Sequence, residues 1–236
     1  MKIQIIGSGS MWTKFNSACY LINDEIMIDF PNGACKYLYR LGINPINVNH
    51  ILLTHFHGDH YFDVPFWLLH KIKKSDNNIN IYCSKDGKKK IRQISRLSFP
   101  QSLKNTLNKI NYCFKTNFSI NDLQIFKVLV NHGRMKPAFG YIINCKNVFV
   151  GFTGDTALCD SVLQMAHKCK YLFCDCMLDI GSKSHQGIDN LNYLSLEYPN
   201  CTFVVSHLED TTREKLMKLN YPNVIVPSDG QIINIE

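Results

Sequence analysis

At 236 residues, with 45% hydrophobic and 19% charged side chains, the chain has ample apolar material for a buried core and lacks the bias of a disordered, collagen-like or mucin-like segment. Its net charge of +7 is uneven: the stretch 71–115 holds ten Lys and two Arg against Asp76 and Asp86, a balance of +10 that leaves −3 for the rest. No run approaches the roughly 18 apolar residues of a membrane span, so no membrane partner is expected, and ten scattered cysteines without a Cys-x-x-Cys pair fit a reduced compartment.

The first segment, Met1-Lys2-Ile3-Gln4-Ile5-Ile6-Gly7, reads as a strand over 2–6. Its five-residue apolar stretch is too short for a signal-peptide core, so a cytoplasmic location is expected. Strand patterns follow at 18–22 and 26–30, then a helix over 33–41 and a strand over 50–53. The basic stretch contains a strand over 79–83 and a helix over 88–97, and Pro100 with its Ser/Asn-rich surroundings marks it as the place for an accessory helical element. It reads either as a surface that attracts phosphate-rich substrates or as a solvated Lys-rich face. Strands over 123–130, 139–143, 148–152, 171–174, 202–205 and 223–226 then alternate with helices over 157–168, 187–196 and 211–219. The class is α/β. With no Gly/Ser- or Pro-rich linker and no repeat, one domain over 1–236 is expected.

Four side chains with metal-binding chemistry stand just after apolar strand runs: His55, His132, Asp155 and His207. In α/β sheets, sites form where loops leave the carboxyl ends of strands, so these four are expected to converge on one rim. The segment Thr54-His55-Phe56-His57-Gly58-Asp59-His60 is denser still, with three imidazoles and a carboxylate within six positions. Alternation would put 55, 57 and 59 on one face of an extended turn with His60 directed elsewhere, and Gly58 would allow the tight path. Imidazole and carboxylate suit zinc, manganese or iron, and the lack of nearby thiolates argues against a structural zinc finger. Burying so many titratable groups without a cation would be costly. His50, His70 and His167 read as ordinary surface or satisfied core histidines.

The HxHxDH core after an apolar strand resembles the metallo-β-lactamase superfamily. The likeness extends over most of the chain through Gly7-Ser8-Gly9, Ile28-Asp29, His132, Gly154-Asp155-Thr156, Ser206-His207 and Pro227-Ser228-Asp229-Gly230 before a last strand. It implies a four-layer αβ/βα sandwich with two divalent metal ions, zinc first and Mn2+ or Fe2+ as alternatives. One would be held by His55, His57 and His132, the other by Asp59, His60 and His207, with Asp155 bridging. Two cations about 3.5–4 Å apart activate a shared water and neutralise charge on the oxygens of a displacement. The resemblance therefore implies hydrolysis, at carbon in a lactone or thioester or at phosphorus in a phosphodiester.

Three features point to phosphorus. Asp175 and the loop Lys183-Ser184-His185-Gln186-Gly187 are similar in placement to the acidic residue and His-Ser-Thr loop of the RNase Z branch, which makes His185 the general acid, steadied by Asp175. His132-Gly133-Arg134 through Phe139-Gly140-Tyr141 resembles that branch's third-ligand loop, in which Arg134 and Lys136 read either as phosphate contacts or as solvated loop charges. The basic stretch is the third. The loop reads His-Gln-Gly where the branch has His-Ser-Thr, and only 23 positions separate His132 from Asp155, too few for the arm with which typical bacterial RNase Z enzymes grip tRNA. The expected substrate is a nucleotide-type phosphodiester, cyclic nucleotide or RNA, cleaved by a metal-bound hydroxide that Asp59 orients. A lactonase or thioesterase, a tRNA 3′ endonuclease, and a metal-binding sensor or nucleic-acid-binding module that keeps the fold without catalysis are the alternatives. Related hydrolases are often dimers, so a homodimer is a further expectation.

Overall fold

The computed structural model describes residues 1–73 and 78–235; Lys74 and Asp76 of the basic stretch fall outside them. In chain order the elements are β1 (Lys2–Gly7), β2 (Cys19–Ile22), β3 (Ile26–Ile28), α1 (Ala34–Arg40), β4 (His50–Leu52), α2 (Gly58–Tyr61), α3 (Val64–Lys73), β5 (Asn80–Tyr82), α4 (Lys85–Ser98), β6 (Asn111–Cys113), β7 (Asn117–Ile120), β8 (Leu123–His132), β9 (Met135–Cys145), β10 (Val148–Phe152), α5 (Asp160–Lys168), β11 (Tyr171–Asp175), α6 (Ile188–Glu197), β12 (Thr202–Ser206), α7 (Asp210–Leu216), β13 (Val224–Ile225) and β14 (Ile232–Asn234). Among the described residues no helix is long and apolar enough to cross a membrane.

Among the described residues the strands form two seven-stranded sheets, ordered β14-β1-β2-β3-β4-β5-β6 and β13-β12-β11-β10-β9-β8-β7. Period-two alternation sorts their side chains into three apolar layers. Ile26, Ile28 and Tyr82 face Tyr141, Phe152, Phe173 and Val204 between the sheets, whereas Met27 and Ile81 face outward onto the α1, α3 and α4 side. Leu172, Phe203 and Val205 face the α5, α6 and α7 side. The result is the four-layer αβ/βα sandwich of the metallo-β-lactamase fold. Each fully buried Ile, Leu or Phe in it contributes about 1.5–3 kcal/mol of hydrophobic stabilisation before chain entropy is counted.

Several elements depart from the sequence reading for local reasons. Helix α4 starts at Lys85, three residues before its apolar periodicity, because the Ser84 hydroxyl accepts from the Gly87 N–H at 2.9 Å and caps the turn. Helix α3 was not expected. Its apolar residues crowd the first turns with no polar face to mark a period, and it is burial of Val64, Trp67 and Leu68 that holds it. Strands β8 and β9 run on through polar residues because each ladders against the other from Gln124↔Asn144 to His132↔Met135. The basic stretch is built into the molecule: β5 and β6 continue the first sheet, α4 covers its outer face, and Lys71 is fully buried with its ammonium 2.6 Å from the Ile46 carbonyl.

Parallel pairing unites β3 to β6 in one sheet and β10 to β13 in the other. The loops that leave β4, β10, β11 and β12 therefore emerge at carboxyl ends, where substrate sites form in such sheets. The sheets are tied together at that rim, where the Tyr141 hydroxyl donates to the Leu53 carbonyl at 2.8 Å and the Phe139 N–H to the Thr54 carbonyl at 2.9 Å.

Candidate metal centre

The HxHxDH segment begins extended and then turns helical. Asp29, just after β3, accepts from the Thr54 N–H at 2.8 Å and from its hydroxyl at 2.6 Å, which fixes the path into His55. Extended backbone carries His55 and His57 onto one face, but Asp59 does not continue the alternation. Helix α2 begins at Gly58, so Asp59 and His60 project from its first turn. The two halves of the motif are thus separated by a change of backbone conformation. Gly58 is not in the left-handed region; it makes room for Phe62, whose ring would lie 2.7 Å from any Cβ at this position. The left-handed residues of the site are Gly154 (φ 60°), Asp29 (φ 58°) and His207 (φ 55°). For the last two this is a costly conformation, of the kind that persists at sites where surrounding contacts over-determine it.

All seven residues expected as ligands come together. His57 Nδ1 lies 3.1 Å from Nε2 of His55 and 3.1 Å from Nε2 of His132. Nitrogens bound tetrahedrally at zinc's usual ~2.0–2.1 Å would stand ~3.3 Å apart, so this triangle needs almost no expansion to receive a cation. Asp155 Oδ2 lies 3.7 Å from His55 Nε2 and 3.9 Å from His132 Nε2. The same oxygen is 3.3 Å from Nε2 of both His60 and His207, while Asp59 Oδ2 stands 3.7 and 3.5 Å from them. Asp155 therefore borders both groups. Donor atoms of His55, His57, His132 and Asp155 lie within 4.8 Å of one another, as do those of Asp59, His60 and His207.

The outer nitrogens are committed elsewhere. His60 Nδ1 meets Asp29 Oδ2 at 2.7 Å, His132 Nδ1 meets the Ser184 carbonyl at 2.8 Å, and His55 Nδ1 is 3.1 Å from the Thr54 hydroxyl. These partners select the tautomer that turns Nε2 inward, the orienting role that carboxylates and carbonyls play behind metal-bound histidines. His60 Nε2 is buried without a hydrogen-bond partner, and a cavity of about 20 Å³ lies among Asp29, His60, Asp155, Asp175 and His207.

The electrostatics match. Burial, reinforced by neighbouring imidazoles, depresses His55 well below its ordinary value, and burial likewise lowers His57 and His132 against the pull of Asp155, so all three favour the neutral form that binds metals. Burial also works against charge on His60 and His207, but there the carboxylates win: Asp155 with Asp29 raises the one, and Asp155 with Asp59 raises the other. Burial opposes the ionised form of Asp155, yet His207 and His60 hold it well below the carboxylate range. The buried carboxylates thus favour positive charge beside them, which a divalent cation would supply. The donor set fits such a cation.

His185 stands beside this centre. Its Nδ1 is 2.9 Å from Asp175 Oδ2, its ring lies parallel to His207 at 5.2 Å between centroids, and it meets His132 edge-on at 4.8 Å. Asp175 is itself fixed by N–H donors from Thr156 and Met177, each at 3.0 Å. Burial depresses His185, but its bond to Asp175 outweighs that and raises it from its ordinary value. The loop that presents it folds on the Ser182 hydroxyl, which accepts from the His185 N–H at 3.0 Å. His50 and His70 take no part: they meet Tyr82 and Tyr39 hydroxyls, each at 3.0 Å. Arg134 lies exposed in the turn after His132.

A family model describing the Anti-Pycsar protein Apyc1 matches residues 1–223. The chain belongs to the Anti-Pycsar Apyc1 family. This Apyc1-family chain is also similar to ribonuclease Z of Pyrococcus abyssi, 26% identical over 124 residues that make up 52% of this chain and 39% of that protein. It thus spans about two fifths of that relative's length. A ribonuclease Z of Saccharolobus solfataricus is 23% identical over an alignment covering 98% of this chain and 97% of that protein. Among solved structures, a diphosphatase of the PhnP family superposes with a TM-score of 0.78 at 15% identity, covering 100% of this chain and 98% of that one. The short form of human tRNase Z does so with a TM-score of 0.74 at 15% identity, covering 100% of both chains. These likenesses support the RNase Z-like branch of the fold.

Three contributors to the Apyc1-family site were not singled out in the sequence as working groups. Asp29 carries the same signal in sequence as Asp155, an acidic residue closing a strand, but no metal-binding neighbours beside it. Thr54 and the Ser184 carbonyl carried no signal, because their role depends on partners 25 and 52 positions away.

Proposed function

We propose that this chain is a two-metal phosphodiesterase acting on a nucleotide-type phosphodiester, with Zn2+ in first place and Mn2+ or Fe2+ as alternatives. The observation that carries this reading is His185, held by Asp175 against the rim of the donor cluster. A phosphodiester leaves behind an alkoxide that needs a proton, and an imidazole whose Nδ1 is tied to a carboxylate presents Nε2–H for that transfer. Divalent cations in the two donor groups would supply an activated water and neutralise charge on the phosphate oxygens. His55, His57 and His132 would hold one, Asp59, His60 and His207 the other, with Asp155 between them; Asp59 also orients the attacking water.

A small substrate is favoured over tRNA. The two connections between His132 and Asp155 are the turns Gly133-Arg134 and Lys146-Asn147, both consistent with tight hairpins, and neither carries an arm. A cyclic mononucleotide fits such a rim. The ten free cysteines suit the reducing cytoplasm, where such nucleotides occur.

The deciding experiment is a panel of 3′,5′-cyclic nucleotides, short RNA, pre-tRNA, a lactone, a thioester and a β-lactam, assayed with metal-loaded protein. Cyclic nucleotides are expected to be hydrolysed fastest. Preference for the lactone or thioester would overturn the phosphorus reading, and preference for pre-tRNA would restore the tRNA endonuclease. RNA binding with hydrolysis of nothing in the panel would favour a binding module.

A further inference from the structure

Beside the metal centre the surface carries large apolar side chains that no core claims. Trp12 is 88% exposed, Met11 51% and Phe62 46%. All three line one open cleft of about 410 Å³ whose floor includes His57 and Asp59. A tryptophan so exposed forfeits the burial that aromatic side chains ordinarily gain, and a contiguous apolar patch on a surface marks a place where something binds.

The loop that presents Trp12 is anchored at its base. The Ser8 N–H and hydroxyl donate to Asp229 Oδ1 at 3.0 and 2.9 Å, and the Asn16 N–H and amide donate to Asp229 Oδ2 at 2.7 and 3.0 Å. Arg213 lies against the Phe15 ring at 3.7 Å and donates to the Ser8 hydroxyl at 2.7 Å. The Ser10 N–H donates to the carbonyl of Leu208, the residue after His207, at 3.0 Å. The loop's foot is thus coupled to the backbone next to His207 while its tip stands exposed. Phe62 faces it from the end of α2, its ring laid over Gly58.

We propose that Trp12 and Phe62 form the platform on which the nucleobase of the substrate stacks, making Trp12 a positioning residue that sets affinity and base preference. This rests on the phosphodiesterase reading above. A nucleotide carries a charged diester next to a flat ring, and the cleft offers the matching pair: the donor groups of His57 and Asp59, and apolar rings immediately beyond them. Asn32 lines the same cleft with both a donor and an acceptor for a base edge. Base–aromatic stacking tolerates any base because every base has a π face, so the platform favours aromatic nucleotides as a class, the larger purines most.

The two tryptophans make the test direct, since Trp67 is fully buried and Trp12 is exposed. Titration of metal-loaded protein with 5′-AMP is expected to quench tryptophan emission, with the quench lost in Trp12→Phe, while inorganic phosphate leaves the emission unchanged. Trp12→Ala should raise KM for cyclic nucleotides about tenfold with kcat within twofold, and Trp12→Phe should recover most of that loss. Near-wild-type circular dichroism and metal content in both variants would exclude misfolding. Cyclic-nucleotide hydrolysis with unchanged KM in Trp12→Ala and no quench by 5′-AMP would overturn the platform and leave the phosphodiesterase reading intact. A quench by 5′-AMP with no phosphodiester hydrolysed would keep the platform and remove that reading. Loss of a dimer in Trp12→Ala without any quench by 5′-AMP would reassign the patch to contact between copies of the chain and overturn the proposal.

Discussion

His185 and Asp175, from a loop and a strand end ten residues apart, meet at 2.9 Å, and their pairing aligns the His185 ring parallel to that of His207. If His185 delivers a proton to the leaving oxygen, His185→Ala should lower kcat for a cyclic nucleotide about 10²–10⁴-fold, the range of a lost general acid. For an activated ester such as bis(p-nitrophenyl) phosphate the loss should be far smaller, because its leaving group needs no proton. Metal content measured alongside should not change; a parallel loss of metal would make His185 a ligand. Asp175→Asn should fall between wild type and His185→Ala.

Purified protein should contain one to two equivalents of a divalent transition metal by elemental analysis. Removing it with a chelator should abolish hydrolysis and lower the melting temperature, because a cation that binds only the folded chain stabilises it by mass action. His57→Ala should cost metal from the first donor group, and His207→Ala from the second. No metal after reconstitution would end the metallohydrolase interpretation.

Asp29 is not among the donor residues, yet it holds His60 through Nδ1 and Thr54 through backbone and hydroxyl. Asp29→Asn should weaken metal affinity about 10–100-fold, as loss of an orienting partner behind a ligand typically does. Competition with a chromogenic chelator reads this directly.

Gly154 adopts φ 60°, and a Cβ there would stand 2.9 Å from Thr54 Cβ and 3.0 Å from the Phe139 carbonyl oxygen. Gly154→Ala should destabilise the fold by about 1–2 kcal/mol for the left-handed backbone alone, with more for the contact. Urea denaturation measures the first effect. Because Asp155 is the next residue, metal affinity should fall with it.

The basic face offers a separate check. Lys89 and Arg96 are exposed on α4, the outer layer of the first sheet. Lys89→Glu with Arg96→Glu should leave KM for a cyclic nucleotide within about twofold, as expected of solvated charges that belong to no donor group. A large rise in KM for RNA alone, steepening with salt, would instead assign α4 a nucleic-acid role.

The donor cluster is legible in the sequence because it is local. HxHxDH packs four donors into six positions, and strand-end placement marks His132, Asp155 and His207 by the same rule that governs all α/β sheets. The alternation of apolar runs likewise determined the layering, since Met27 and Ile28 must face opposite sides whatever the topology. What alternation could not show is where extended backbone yields to helix, so Asp59 leaves the first turn of α2 and does not continue the extended face of His55 and His57.

Tertiary structure alone decided the rest, for one physical reason: the deciding contacts join residues distant in the chain, and no local pattern encodes them. Asp29 reaches His60 across 31 positions and Ser184 reaches His132 across 52. Lys71, counted from sequence as surface charge, is buried because the Ile46 carbonyl and Asn49 happen to meet its ammonium. No pattern in the sequence around Trp12 marks it as exposed. Only the clasp of Asp229 and Arg213 on the loop's foot leaves it in solvent beside His57 and Asp59.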